Sequence, residues 1–172
     1  MSDRRKKEIQ LRYAVLAALF AAMIYVLTAF VHIPTQQGYI HIGDALICIA
    51  AALLPAPYAV CAAAIGAGMS DFLSGYAIWV LPTVIIKSAT ALMFTSKNEK
   101  MLCRRNWFAS MSAMLICVGG YYIAGGILYG DFIAALADIP TNIIQTVASI
   151  ALFVSTGAAM DKMQIKRRLV RN

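Results

Sequence analysis

SKNEKMLCRRN, residues 96–106, is the one basic cluster inside an otherwise apolar stretch of this chain, and it holds Lys97, Lys100, Arg104 and Arg105. Of the 15 Lys and Arg residues, five more lie at the start (Arg4, Arg5, Lys6, Lys7, Arg12) and five at the end (Lys162, Lys166, Arg167, Arg168, Arg171). Only Lys87 stands apart. Basic segments stay on the cytoplasmic side of a bilayer. An internal basic loop between two basic ends therefore needs an even number of crossings before it and an even number after it. The apolar runs supply four and two.

The rest of the composition agrees. Of 172 residues, 61% are hydrophobic and 13% charged, and the mean hydropathy is +0.73. A soluble domain of this size needs far more polar residues to cover its surface. The net charge of +7 does not point to nucleic acid, because it sits in three clusters parted by apolar runs and no nucleic-acid-binding motif accompanies it. The four cysteines (Cys48, Cys61, Cys103, Cys117) have neither CxxC pairing nor metal-ligand spacing, and neither a metal nor a cofactor is expected.

The fold expected is an all-α integral membrane protein, a single transmembrane domain over residues 1–172. Residues 1–11 and 161–172 form its basic cytoplasmic ends. Six spans fall at about 12–33, 43–55, 57–74, 78–95, 107–128 and 141–160, each near the roughly 20 residues a crossing takes, except the short second one. The first is too long for a signal peptide and is read as uncleaved. "PTQQGYIHI" (34–42) and "YGDFIAALADIP" (129–140) become external loops without a basic residue. The 43–75 region, broken at Pro55-Ala56-Pro57, also fits a re-entrant pair.

Lys87 then lies in the fourth span, about eight residues or roughly 12 Å below Trp79, which belongs to the external aromatic belt. An ammonium at that depth costs about 2.5–3.5 kcal/mol even on a lenient scale, so it faces a partner or a polar cavity. The acids within reach are Asp44 and Asp71. Either forms an ion pair that only fixes packing, or Lys87 meets a solute in a pocket that opens outward. The last span favours the second reading: Asn142, Gln145, Thr146 and Ser149 recur at i, i+3, i+4 and i+7, a polar stripe on one helical face. Carboxamides offer donors and acceptors suited to the edge of a small heterocycle. Tyr39, His41 and one of Tyr121 and Tyr122, of which we select Tyr122, would complete such a site. Small residues Ala14, Ala18 and Ala22 line one side of the first span, and Ala62, Gly66 and Ser70 one side of the third; such rows allow close helix approach.

Motifs for phosphate cradling, zinc hydrolysis and nucleophile elbows are absent, and no enzyme is expected. Uphill transport would draw on an ion gradient or on partner ATPases.

"GYIHIGDALICIAAALLPAPYA" (38–59), "GAGMSDFLSGYAIWVLPTVIIKSATAL" (66–92) and "IPTNIIQTVASIAL" (139–152) together resemble the substrate-capture subunit, or S component, of energy-coupling factor vitamin transporters. The resemblance is nearest to the hydroxymethylpyrimidine, pyridoxine and riboflavin branch and spans nearly the whole chain. It implies a six-helix bundle in the plasma membrane that captures a small vitamin or precursor from outside and works with a membrane scaffold subunit and two cytoplasmic ATPases. On the family pattern, Ala14, Ala18 and Ala22 match the AxxxA row of helix 1 that meets the scaffold, and Lys87, Asn142 and Gln145 match pocket positions. Tyr122, Tyr39, His41, Asp44 and Asp71 complete the candidate site. A pyridine- or pyrimidine-like ligand is expected, with queuosine-type precursors as an alternative. An assembly subunit and an ion-coupled carrier are rival functions.

Overall fold

The computed structural model describes residues 3–34 and 39–170, with the backbone alone described at 34, 39 and 168–170. Helix α1 runs Asp3–Ala29 and is followed by a two-stranded antiparallel ribbon, β1 (His32–Pro34) and β2 (Tyr39–His41), in which Ile33 faces Ile40. Then come α2 (Gly43–Leu53), α3 (Ala56–Leu73), a short 3-10 turn (Ala77–Trp79) and α4 (Val80–Met93). Helices α5 (Arg104–Tyr129), α6 (Phe132–Ala135), α7 (Asp138–Lys162) and α8 (Ile165–Val170) complete the chain. Four helical stretches are long and apolar enough to cross a membrane: Asp3–Ala29, Ala56–Leu73, Arg104–Tyr129 and Phe132–Lys162.

Neighbours in the bundle follow the order α1, α3, α4, α5, α7, and α2 sits inside, touching α1, α3, α4 and α7. Its sequence explains the position. Beyond Asp44, GDALICIAAAL is apolar on every side, and a helix apolar all round must be buried; every residue of it but Leu46 is. Being covered by protein, it need not reach across lipid. At about 1.5 Å per residue its 11 residues cover some 16 Å, half a hydrocarbon core. Its N-terminus, with Asp44, therefore lies deep in the bundle.

Close approach relies on glycine at two points. A Cβ on Gly66 of α3 would stand 2.7 Å from the Ala21 carbonyl oxygen and 2.8 Å from the Ile24 Cβ of α1. A Cβ on Gly43 would run into the Thr28 hydroxyl. The outer surfaces invert the usual pattern, with Phe108 70% and Leu115 75% exposed on α5. Lipid is the solvent such faces need.

Several boundaries differ from those expected. The first apolar run stops being helical at Ala29, and the loop after it carries the β ribbon. The last long helix starts at Asp138 rather than 141, because Pro140 in its first turn needs no intrahelical donor. The basic ends are helical too: α1 takes in Arg4–Lys7, with ion pairs Arg4–Glu8 and Lys7–Asp3, and α8 takes in Lys166 and Arg167. The basic loop is tied down from below. The Asp161 carboxylate accepts the Met101 and Leu102 N–H groups at 2.7 and 3.1 Å, and the Asn106 side chain bonds the backbone of Thr95 and Met101.

Candidate functional site

A cavity of about 90 Å³ opens between the C-terminal ends of α1 and α3 and the N-terminal ends of α4 and α7. Those are the ends opposite the three basic clusters. Thr28, Asp71, Tyr76, Trp79, Thr83 and Asp138 stand among its walls. Lys87, Asn142, Gln145 and His41 also line it.

Helical spacing assembles the walls. Trp79, Thr83 and Lys87 follow at four-residue steps along one face, and Asp138, Asn142 and Gln145 follow at steps of four and three along α7. The polar stripe of α7 turns inward: Gln145, Thr146 and Ser149 are buried.

The floor is a hydrogen-bonded cluster. Lys87, 0% exposed, donates from Nζ to Asp44 Oδ2 at 2.7 Å. Gln145 Nε2 donates to the same oxygen at 3.1 Å, and Gln145 Oε1 accepts the His41 backbone N–H at 3.2 Å. The Lys87 ammonium lies 5.0 Å from the centre of the Tyr121 ring, a cation–π distance. The Tyr121 hydroxyl is 3.1 Å from Thr83 Oγ1. Asp44 occupies the first turn of α2, where the helix dipole favours an anion. His41 Nδ1 accepts the Gly43 N–H at 3.2 Å, so its other ring nitrogen carries the proton.

Of the two acids within reach of Lys87, then, it is Asp44 that takes the ammonium. Asp44 lies behind Lys87 rather than on the cavity wall, and its Oδ1 is buried with no hydrogen-bond partner among the described residues. Asp71 lines the cavity. Tyr122 does not: its ring packs on Phe132 at 5.9 Å, and Tyr121 faces the cavity instead. One residue of helical rotation separates the two, and apolar pattern alone does not fix that rotation in α5, which has small residues all round. The side chain of Tyr39 lies outside the described residues. Trp79, expected only as a membrane-belt residue, stacks near Tyr121 and Tyr129 with centroids 6.0 and 5.8 Å apart. Thr83 and Asp138 were also missed, though a step of four back from Lys87 and from Asn142 leads to each.

On the outer face, Ala14, Ala18 and Ala22 line an apolar groove of about 550 Å³ between α1 and α3, with Ala62 and Gly66 opposite.

Comparison with known proteins now settles the family. A family model for the ECF-type riboflavin transporter, S component, matches residues 8–162. The chain belongs to this family. As an S component it is a vitamin-type substrate-binding subunit of a transporter rather than an enzyme, and a multi-pass membrane protein. It is 28% identical over 132 residues to a Pyrococcus woesei protein described only as an uncharacterized protein in gap 3'region, covering 76% of this chain and 87% of that one. It is 37% identical over 51 residues, 30% of each chain, to the thiamine precursor transporter HmpT of Lactococcus lactis subsp. cremoris.

Proposed function

We propose that this S component captures a single-ring nitrogen heterocycle, of the pyrimidine or pyridine class, from outside the cell. The observation that carries this is the cavity: it opens at the end of the bundle away from all three basic clusters, and polar groups on six elements (α1, β2, α3, α4, α5 and α7) converge in it. Its volume of about 90 Å³ is small beside the roughly 300–1,000 Å³ that hold drug-sized ligands. It suits one ring and falls well short of a three-ring flavin. The short match to a thiamine precursor transporter supports the same class.

In this reading the chain is one transmembrane domain over residues 1–172 with six crossings, α2 and the β ribbon together making the second. Both ends and the 96–106 loop are cytoplasmic. Lys87, Asn142, Gln145, His41 and Asp71 contact the ligand, Tyr121 takes the place given to Tyr122, and Asp44 holds Lys87 in position. Uptake is driven by two ATPases through a membrane scaffold subunit that docks on Ala14, Ala18 and Ala22. The deciding experiment is mass spectrometry of the small molecule released from freshly purified protein. A one-ring heterocycle is expected; a flavin overturns the size argument.

The buried Lys87–Asp44 pair also favours a second reading, a proton relay in an ion-coupled carrier. Uptake that persists without ATPase partners and collapses with the pH gradient would establish it.

A further inference from the structure

The polar groups of the cavity are largely committed to one another before any ligand arrives. Lys87 and Gln145 both donate to Asp44, and the Gln145 side-chain oxygen takes the His41 N–H. Asn142 Nδ2 donates to the Asp138 carbonyl of its own helix at 2.9 Å. Thr83 and Tyr121 hold each other, and Asp71 and the Asp138 side chain are engaged as well. A ligand that trades such bonds for its own gains little from each exchange. What the walls offer without any exchange is ring surface.

Trp79 is the largest such surface. It ends the 3-10 turn that leads into α4 and stands on the same helical face as Lys87. The indole is half-buried and braced by two other rings. Tyr121 meets it at 6.0 Å with an interplanar angle of 51°, and Tyr129 at 5.8 Å and 70°. Neither ring lies parallel to the indole, and Tyr129 supports it from outside the cavity walls. A side chain fixed in this way loses little freedom when a ligand settles on it. Flat heteroaromatic rings stack on such a platform whatever their edge substituents, because every one of them has a π face.

We infer that Trp79 is the stacking platform of the cavity: the ligand lays its ring on the indole and turns its edge toward the carboxamides of α7. The residue is then a ligand contact as well as a membrane-belt residue. This rests on the reading of the cavity as the capture site for one aromatic ring, and it fails separately from that reading.

The test uses the full chain in lipid nanodiscs, with 4-amino-5-hydroxymethyl-2-methylpyrimidine, pyridoxine and riboflavin as probes. Titration calorimetry gives the affinities of wild type, Trp79→Leu and Trp79→Phe. Removing the platform in Trp79→Leu should weaken binding by about tenfold to a hundredfold, whereas Trp79→Phe, which keeps a flat face, should lose about threefold or less. The second tryptophan, Trp107, lies at the basic end of α5, so Trp107→Phe leaves Trp79 as the sole indole. Its emission should change saturably on binding, with the Kd that calorimetry gives; this readout carries the test if Trp79→Leu does not fold. A one-ring probe that binds Trp79→Leu as tightly as wild type, or saturates Trp107→Phe without moving its emission, overturns the platform and leaves the one-ring reading standing. Equal losses in Trp79→Leu and Trp79→Phe would reduce Trp79 to packing and overturn it too. Binding of riboflavin alone overturns the one-ring reading, and the same pair of Trp79 variants then decides the platform. No binding by any probe overturns both.

Discussion

Lys87 brings an ammonium to a depth where water does not reach, and Asp44 makes that tolerable. Removing one member of a buried ion pair leaves the other uncompensated, at a cost of about 3–5 kcal/mol. Lys87→Met alone should therefore lower the thermal midpoint sharply, and Lys87→Met with Asp44→Leu should recover most of the loss. If Lys87 also touches the ligand, the stable double variant still fails to bind in calorimetry; wild-type affinity there would reduce the pair to packing. Much of this site is legible in the sequence. A lone lysine in an apolar run and a stripe at i, i+3, i+4, i+7 are signals that survive without coordinates. What the sequence does not decide is which acid Lys87 takes, or whether Tyr121 or Tyr122 turns inward, since both depend on helix rotations set by packing.

Helices long and apolar on one face were equally legible, and so was α2 as an element, expected at about 43–55 and found at Gly43–Leu53, but its place in the bundle was not. Its run of 11 residues reads as a short span or a re-entrant piece until its position at the centre of the bundle is known, and the β ribbon before it has only three residues a strand, too few for a periodicity to register. The junction between them is tight. Gly43→Ala places a methyl group against the Thr28 hydroxyl, and overpacking of this kind costs about 1–3 kcal/mol. Thr28→Ala in the same chain should restore the melting temperature; a double variant no better than Gly43→Ala alone would show that the clash is relieved elsewhere. On α1 the two faces divide the work. Ala17, Ala21 and Ile24 are buried, the two alanines at the base of the outer groove, whereas Ala14, Ala18 and Ala22 are exposed along it. Ala18→Arg should thus leave ligand binding within about twofold of wild type, while abolishing uptake in cells that carry the energy-coupling subunits. Undiminished uptake would remove the groove from consideration as the docking face.

The arrangement of charge along the bundle ties site and orientation together. All three basic clusters share one end, and the cavity with its acids Asp71 and Asp138 occupies the other. Positive charge is retained on the cytoplasmic side during insertion, so the cavity should face outward whatever its ligand. The turns at Gly75 and Gly130 are the places to ask. Both glycines have positive φ, 86° and 69°, and a Cβ built on either meets nothing within 4 Å, so a short inserted protease site there disturbs no packing. In intact cells, protease added from outside should cut at 75 and at 130, and should spare the same site placed at Asn98 in the basic loop or ahead of Arg4. Detergent should expose all four. Cleavage at Asn98 in sealed cells would invert the bundle, turn the cavity toward the cytoplasm, and leave capture from outside without a structural basis even if the ligand proved to be a heterocycle.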